Sequence, residues 1–576
     1  MELYKLTCRV FNKDNKLIGY DAVDKNNSTF ILPLNTAINL ALTNSIKDVT
    51  CSSKNHRVAL HGINGNDLRK LPRRMEQVAK NNDSISILCG QNAIKYAQEM
   101  TSKIRHKRDC ITQVREYIKN PNNKVCTIYG LRRTGKTILM LQSLLELKSN
   151  NVAYITFTRK VNAVDLKSLM DKLVENNIKY VYIDEITEMN NLLACASMLS
   201  DVYVGLGLRV IISGTNSYML NIASKDVLYD RTVRISTSYI SYKEYRKLLG
   251  DDIGILDYIR FGGVLAANTF YDRDSTKTYI RTAITDNIVH SLENTDPREY
   301  TSLTELNNQS LFRKALEQTI DNANRELTLD VITRNYENHD IGSAEQLIGK
   351  GHLVNRDEVI QILKDKLKIK DVSNGKVSQD CINELENFLE ELDVIRFYTR
   401  YQEKRKHGVS TLNSIKVPLF LQSGLRYRQT LTLIESLGEA DSFGALKLSD
   451  RQLLLNKLIE DIEDQLLEQT VIIEYLIKYK DTPVMVTQLL RNGQEIDMLL
   501  FNKDTKEIVL FEIKRSSKQV DRQCKYLVNK EFNRYIEEQF GGNITGRIVL
   551  YTGKDCNVSI EGLDVYYKNI DKYLRR

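Results

Sequence analysis

The chain lacks the sequence features of a zinc-binding, disulfide-bonded or membrane-spanning protein. Its nine cysteines are scattered from Cys8 to Cys556 without any Cys-x-x-Cys spacing, and its seven histidines never pair with them at zinc-ligand intervals. No apolar run approaches the ~18 residues of a transmembrane helix, and residues 1–30 lack the blocks of a signal peptide. We therefore expect a cytoplasmic protein with reduced thiols, no structural metal and no membrane partner.

A strong excess of one charge is also absent. The 82 basic and 74 acidic residues give a net charge of +8, which favours a polyanionic partner without requiring one. A length of 576 residues with 42% hydrophobic content predicts several domains, about three to five, rather than one core.

The first part of the chain, residues 1–92, predicts a small β-rich module. Short β-like runs at Tyr4–Phe11, Ser28–Leu34 and Arg57–Leu60 are separated by turn residues. No catalytic set is recognisable there, so the module is either an adaptor for an unknown protein partner or merely structural.

A basic amphipathic helix is predicted from Ile94 to Ile118. Its basic residues include Lys103, Arg105, His106, Lys107 and Arg108. These side chains either meet nucleic acid or nucleotide, or form a solvated helix face.

A glycine-rich loop follows, between a predicted strand at Val125–Tyr129 and a predicted helix at Thr137–Leu147. It reads Gly130-Leu131-Arg132-Arg133-Thr134-Gly135-Lys136-Thr137. In such loops the backbone N–H groups cradle phosphates, the lysine reaches the terminal phosphates and the threonine hydroxyl ligates magnesium. The sequence therefore predicts an ATP·Mg²⁺ site whose binding residues here are Gly130, Arg133, Thr134, Gly135, Lys136 and Thr137.

A second apolar strand is predicted at Tyr180–Glu185, and it ends in two acids, Asp184 and Glu185. In a parallel sheet with intervening helices this strand end lies beside the glycine loop. Asp184 would hold the magnesium and Glu185 would polarise the attacking water as a catalytic residue.

A further strand, Leu208–Ser213, leads into Thr215 and Asn216, whose neutral side chains would sense the γ-phosphate. Arg231 is either an arginine finger, on its own phosphate or on that of a neighbouring subunit in a homo-oligomer, or a partner of Asp226 or Asp230 in an ion pair.

Together with the glycine loop, several segments resemble the archaeal-type AAA-like P-loop ATPases. They are Tyr182–Glu185, Ser213–Ser217, Ser238–Tyr245, Tyr258–Gly263 and Leu419–Leu425. The resemblance extends over about residues 108–428, and it implies a helical lid and, in many members, a C-terminal restriction-endonuclease-like domain. Gln422-Ser423 stands where relatives usually place an acid, and Val264-Leu265 where they often carry a proline.

The middle of the chain predicts a winged-helix-like region. An amphipathic helix at Asp380–Leu392 leads into a strand at Val394–Tyr401, a basic turn at Lys404–Gly408 and an extended run through Leu419. The basic turn is either a wing tip that contacts phosphates or a solvated hairpin tip.

The last part predicts the element order αβββαβ. A long helix, Ser449–Lys478, precedes strands at Val484–Leu490, Glu495–Phe501 and Glu507–Lys514, and a helix at about Gln519–Gln539 precedes a strand at Arg547–Tyr551. This order resembles the PD-D/ExK nuclease fold.

Strand alternation places Glu512 and Lys514 on one face of the third strand, where Asp497 on the second strand can join them. The acids Asp497 and Glu512 would bind Mg²⁺, and Lys514 would orient or deprotonate the attacking water. Glu468 matches the helical acid that many relatives add to this metal site. An exposed Glu/Lys pair on an antiparallel sheet is the alternative.

The fold class expected is α/β, with a P-loop NTPase core. The domains are 1–92 (β-rich module), 93–238 (P-loop core), 239–301 (helical lid), 302–440 (helical insert and winged-helix-like region) and 441–576 (nuclease-like domain). The expected function is an ATPase that couples ATP and Mg²⁺ to a metal-dependent nuclease-like domain acting on DNA or RNA, and DNA is the first expectation for its nucleic-acid partner. The alternative is a nucleotide-dependent scaffold whose C-terminal domain binds nucleic acid or protein without cleaving.

Overall fold

The computed structural model forms two compact units, the first comprising residues 1–88 and 155–161 and the second residues 89–154 and 162–576. The structure describes the strands at 4–11, 17–23, 29–33 and 46–49, and then residues 85–122, 124–157, 163–189, 198–214, 220, 231–266, 269–289, 302–303, 305, 311–332, 379–406, 409–438, 448–491, 493–517 and 524–575.

The first unit contains a four-stranded sheet in the order β3-β2-β1-β4. Its strands are β1 (Tyr4–Phe11), β2 (Leu17–Val23), β3 (Thr29–Pro33) and β4 (Ile46–Val49). Two of the predicted β-like runs form β1 and β3, and the run at Arg57–Leu60 lies outside the described residues. A fifth strand, β5 (Ile85–Cys89), precedes the first helix.

The segment predicted to be a P-loop core is built from alternating strands and helices. In chain order these are α1 (Gln91–Thr101), α2 (Ile111–Lys119), β6 (Val125–Tyr129), α3 (Lys136–Glu146), β7 (Val152–Phe157), α4 (Ala163–Glu175), β8 (Tyr180–Asp184), β9 (Arg209–Ser213) and β10 (Thr232–Ser236). The sheet order is β10-β6-β9-β8-β7, and the pairs β10–β6, β6–β9 and β8–β9 are parallel. Parallel strands bring the glycine loop after β6 and the acids after β8 to one edge of the sheet.

Helices dominate the described part of residues 241–289, within the segment predicted to be a lid. They are α5 (Tyr242–Leu249), α6 (Ile255–Phe261) and α7 (Arg273–Tyr279), which continues into a π-type turn at Ile280–Thr285. The Ser241 side chain caps α5 by accepting a hydrogen bond from the Glu244 N–H at 3.1 Å. Two further helices, α8 (Phe312–Ile332) and α9 (Gln379–Glu391), precede a long hairpin.

The hairpin and the C-terminal elements form one eight-stranded sheet in the order β12-β11-β13-β14-β15-β16-β18-β17. The elements are β11 (Ile395–Lys406), β12 (Val409–Phe420), α10 (Ser423–Gly438), α11 (Leu448–Lys478), β13 (Val484–Arg491), β14 (Gln494–Asn502), β15 (Glu507–Ile513), α12 (Lys530–Phe540), β16 (Asn543–Tyr551), β17 (Cys556–Ile560), β18 (Leu563–Asn569) and α13 (Ile570–Tyr573).

Strand pairing changes two expectations for this half of the chain. The predicted wing is a hairpin, but β11 pairs in parallel with β13, so the expected boundary between 440 and 441 divides strands of one sheet. The αβββαβ order is present, with β17 and β18 added. The helix expected from about Gln519 begins at Lys530, because the Asn529 side chain caps it by accepting the Phe532 N–H at 2.9 Å.

One hydrophobic core joins helices α5 and α6 to the C-terminal half. Buried side chains of α5 and α6, such as Tyr245 and Ile259, belong to the same cluster as Leu466 and Val471 of α11 and Phe511 of β15.

None of the helices in the described segments carries an apolar stretch able to cross a lipid bilayer.

Candidate nucleotide site and carboxylate cluster

The glycine loop joins β6 to α3 at the carboxyl edge of the parallel sheet. Gly135 has a φ of 88°, a left-handed conformation that glycine adopts at little steric cost and that starts α3. A Cβ at Gly130 would lie 2.9 Å from the Ser238 nitrogen, so this position tolerates only glycine. Thr134 closes the turn because its Oγ1 donates to the Leu131 carbonyl at 2.8 Å.

Lys136 lies within the loop rather than in solvent. Its side chain is 6% exposed, and its Nζ donates to the carbonyls of Gly130 at 2.6 Å and Leu131 at 2.9 Å. Burial lowers the pKa of Lys136 to about 8, although the carboxylates of Glu185 and Asp184 act in the opposite direction. The predicted phosphate-binding cation is therefore held by the loop itself, beside both predicted acids.

Asp184 is buried and accepts three hydroxyl hydrogen bonds. Thr137 Oγ1 and Tyr154 OH each donate to its Oδ2 at 2.8 Å, and Ser213 Oγ donates to its Oδ1. The structure thus brings Thr137 and Asp184 together as predicted, and their oxygen atoms suit a hard cation such as Mg²⁺. Glu185, with a φ of 58°, follows in the left-handed region.

Sequence reasoning missed Tyr154. Its ring contacts that of Tyr96, with 5.6 Å between centroids, and its hydroxyl anchors the Asp184 carboxylate. A tyrosine inside an apolar strand has no distinctive sequence signal, because only the neighbouring position of β7 and β8 brings its hydroxyl to the acid.

The remaining residues predicted for this site are Arg133, Thr215, Asn216 and Arg231. Arg133 lies in the loop and its NH1 donates to Thr269 Oγ1 at 2.9 Å, whereas Thr215 and Asn216 lie outside the described residues. Arg231 directly precedes β10, and its carbonyl accepts the N–H of Val125, the first residue of β6, so it lies at the end of the sheet opposite to the glycine loop.

The position of Arg231 bears on its predicted roles. The strand β10 separates it from the glycine loop of its own chain, and its NH1 lies 2.9 Å from Asp201 Oδ2. Asp226 and Asp230, its predicted ion-pair partners, lie outside the described residues, and a role as an arginine finger stays a prediction.

The basic residues that precede α2, Lys103 to Arg108, differ in burial. Arg108 is 3% exposed, and its Nε donates to Glu244 Oε1 at 2.7 Å. Its NH1 and NH2 donate to the carbonyls of three further residues, Thr134, Thr237 and Tyr239. Arg108 is thus neither a nucleic-acid contact nor part of a solvated face, but a buried link between the glycine loop and α5.

A cavity of about 740 Å³ adjoins the glycine loop. Its lining includes Arg105 and His106 of the basic run, Arg133 and Ile138 of the loop and α3, and Lys247 of α5. Apolar walls with convergent basic groups suit an aromatic or anionic ligand portion next to the phosphate site.

A second group of acids lies on one face of the C-terminal sheet. One carboxylate oxygen each of Glu468, Glu495 and Asp497 lies within 4.8 Å of the others. Glu468 comes from α11, and Glu495 and Asp497 come from β14, two residues apart and hence on the same strand face. Glu468 and Asp497 were predicted metal ligands. Glu495 was not, although its spacing from Asp497 was a usable signal.

Lys514 and Glu512 complete this carboxylate cluster. Lys514 Nζ lies 2.9 Å from Glu512 Oε1 and 3.2 Å from Asp497 Oδ2, and the Ile513 N–H donates to Asp497 Oδ2 at 2.7 Å. The predicted convergence of two carboxylates and one ammonium is therefore present, rather than an exposed Glu/Lys pair.

Burial and neighbouring charges shift the pKa values of both Glu512 and Lys514. Burial, reinforced by the charge of Asp497, raises the pKa of Glu512 to about 8. Burial alone would lower the pKa of Lys514, but Asp497, Glu512 and Glu468 hold it well above its ordinary value. The charges of these three acids thus favour the protonated form of Lys514.

Comparison with known proteins bears on the first of the two sites. Residues 122–246 match a family model described as an AAA domain, which supports an AAA-like P-loop domain with nucleotide-binding ATPase activity. Over 183 residues, 28% of this chain, the sequence is 25% identical to the uncharacterized protein MJ1544 of Methanocaldococcus jannaschii, and the match spans 41% of that protein.

Proposed function

We propose that this protein is an ATPase whose nucleotide state controls a Mg²⁺-dependent, nuclease-like site acting on DNA or RNA. The observation that carries the proposal is the double role of helix α11. It contributes Glu468 to the carboxylate cluster, and its Glu474 accepts the backbone N–H of Tyr242, the first residue of α5, at 2.6 Å. The two acids are six positions apart on the helix, which is about 9 Å along its axis.

At the nucleotide site, each loop residue has a distinct task. The ammonium of Lys136 binds the terminal phosphates, and Thr137 with Asp184 would hold Mg²⁺, which offsets phosphate charge when bound. Glu185 follows Asp184 at the strand end, where its carboxylate would orient the attacking water.

At the C-terminal site, the chemistry is that of phosphodiester hydrolysis. The acids would hold Mg²⁺, which when bound stabilises negative charge on the scissile phosphate. Lys514 stays protonated between Glu512 and Asp497, and it would orient the attacking water or a phosphate oxygen. Oxygen donors from carboxylates fit this cation.

A second contact supports coupling between the sites. Arg260 of α6 donates to Glu463 Oε1 of α11 at 2.7 Å and 2.9 Å, and the other oxygen of Glu463 lies 3.5 Å from Arg515 NH1. Arg515 directly follows Lys514. A movement of the lid helices on nucleotide binding would therefore reach both α11 and the strand end that carries Lys514.

The test is a cleavage assay on plasmid and single-stranded substrates with Mg²⁺ or Mn²⁺, with and without ATP. We expect cleavage that depends on ATP and is lost in Asp497→Ala and Lys514→Ala. Arg260→Gln should retain ATP hydrolysis and reduce the effect of ATP on cleavage. No cleavage under any condition would instead support the nucleotide-dependent scaffold.

The ATPase itself is tested separately. Lys136→Ala should weaken ATP binding or turnover, because the loop loses its cation, and Glu185→Gln should trap bound ATP, because the water is no longer polarised. Filter binding and phosphate release measure the two effects. Unchanged hydrolysis in both variants would remove the ATPase assignment.

A further inference from the structure

We infer that Glu495 is a cation-binding carboxylate and that Glu468, Glu495 and Asp497 together form the divalent-metal site, with Glu512 paired to Lys514 beside it. The inference rests on the proposed function, because it specifies which residues hold the metal of the nuclease-like site. It differs from the sequence expectation, which assigned the metal to Glu468, Asp497 and Glu512.

Geometry favours Glu495 over Glu512 as the third ligand. Oxygens of Glu468, Glu495 and Asp497 lie within 4.8 Å of one another, a separation that a single Mg²⁺ or Mn²⁺ can span with small adjustments of the side chains. Glu512 is outside that group, and its Oε1 is bound by Lys514 at 2.9 Å.

Each of the three carboxylates is held from outside the cluster by a nitrogen donor. Gln465 Nε2 donates to Glu468 Oε2 at 2.9 Å, Gln488 Nε2 donates to Glu495 Oε1 at 2.9 Å, and the Ile513 N–H donates to Asp497 Oδ2 at 2.7 Å. Hydrogen bonds of this kind orient metal ligands in proteins.

The side chain that supports Glu495 is Gln488, which is buried and is itself held by a hydrogen bond. Gln488 is 1% exposed, and its Oε1 accepts a hydrogen bond from Tyr398 OH of β11 at 2.7 Å. The register between β13 and β14 shifts between Thr487 and Leu489, so Gln488 lies at an irregularity of the ladder. Such irregularities re-aim side chains next to functional sites.

A separate observation points to a bound cation. Glu512 is 8% exposed, and its Oε2 has no hydrogen-bond partner among the described residues. Glu512 is linked to Asp497 through Lys514, whose Nζ lies 2.9 Å from Glu512 Oε1 and 3.2 Å from Asp497 Oδ2. Four carboxylates then share this face with the ammonium of Lys514, and a divalent cation offsets the excess negative charge.

The experiment measures Mn²⁺ binding to the nucleotide-free, full-length protein by electron paramagnetic resonance. Every variant also carries Asp184→Asn, so that the loop site does not contribute. Glu495→Gln keeps the shape and hydrogen-bonding capacity of the side chain and removes its charge. Glu507→Gln is the matched control, because Glu507 is an exposed acid on the neighbouring strand β15. Its Oε2 accepts a hydrogen bond from Thr505 Oγ1 at 2.9 Å.

We expect Glu495→Gln and Asp497→Asn each to weaken Mn²⁺ binding by at least about tenfold, since affinity follows the number of charged ligands, and Glu507→Gln to leave it unchanged. Glu495→Asp retains the charge and should bind Mn²⁺ more tightly than Glu495→Gln does, which separates ligation from a general loss of fold.

The outcomes distinguish this inference from the proposed function. Weakened binding in Asp497→Asn with wild-type binding in Glu495→Gln would overturn the role of Glu495 and leave the nuclease-like metal site in place. No Mn²⁺ binding in the parent protein, or equal binding in all variants, would overturn both.

Discussion

The buried ion pair between Arg108 and Glu244 offers the sharpest test of how the nucleotide region is held together. Both side chains are almost fully buried, at 4% and 6% exposure, and the Nε–Oε1 distance is 2.7 Å. Glu244 also accepts the Asp109 N–H at 2.7 Å, so one carboxylate anchors the whole segment before α2. The perturbation is Glu244→Leu, which removes the charge and leaves Arg108 buried.

The expected loss follows from that burial. An ion deprived of its partner inside a protein destabilises the fold by about 3–5 kcal/mol, because it can neither reach water nor keep its pair. Replacing both residues, as in Arg108→Met with Glu244→Leu, leaves no unpaired charge and should cost less than the sum of the two single changes.

A matched control joins the same two segments at the surface. Lys247 of α5 pairs with Asp109 at 2.6 Å, but the two side chains are 44% and 55% exposed. Water solvates both partners once the pair is broken, so Lys247→Met should cost only about 0–1 kcal/mol. The two ion pairs therefore differ chiefly in burial.

The assay is urea denaturation followed by far-ultraviolet circular dichroism, which yields the free energy of unfolding for each variant. Equal losses for Glu244→Leu and Lys247→Met would refute the reasoning from burial. A double variant as unstable as the two single losses added together would refute the pairing itself.

Two other predictions concern the nucleotide site and the lid. Because the pKa of Lys136 is lowered to about 8, its ammonium is lost as the pH rises from 7 to 9, and fluorescence titration with an ATP analogue should show affinity falling about tenfold over that range. The Lys136→Arg variant, whose side chain stays charged, should bind the ATP analogue with an affinity independent of pH. A wild-type affinity that does not change between pH 7 and pH 9 would contradict the lowered pKa of Lys136. Gly263 and Gly207 share a φ of 93°, but a Cβ at Gly263 would lie 2.6 Å from Gln422 Cα whereas one at Gly207 meets nothing within 4 Å. Thermal denaturation should therefore find Gly263→Ala less stable than Gly207→Ala by about 1–3 kcal/mol, and equal stability would exclude the clash.

Local sequence patterns predicted the elements that carry chemistry. The glycine loop between β6 and α3 was readable because phosphate binding requires particular residues at fixed spacing along a short segment. The order αβββαβ and the shared face of Glu512 and Lys514 followed from hydrophobic periodicity and strand alternation. These signals depend on neighbours in the chain and need no tertiary contact.

Contacts between distant segments were not predictable in this way. The pairing of β11 with β13 turned an expected wing into part of the C-terminal sheet, since strand pairing depends on which edges meet. The burial of Arg108 against Glu244, 136 residues away, was likewise not predicted, because the basic run by itself indicated either a ligand contact or a solvated face.

The sequence by itself therefore determined the nucleotide loop, the strand ends that carry Asp184 and Asp497, and the order of the elements around them. Only the tertiary structure decided which side chains support them: Tyr154 beside Asp184, Gln488 behind Glu495, and Glu474 against α5. The physical reason is that a motif is specified by local spacing, whereas its supporting hydrogen bonds come from segments whose proximity is set by packing of the whole core.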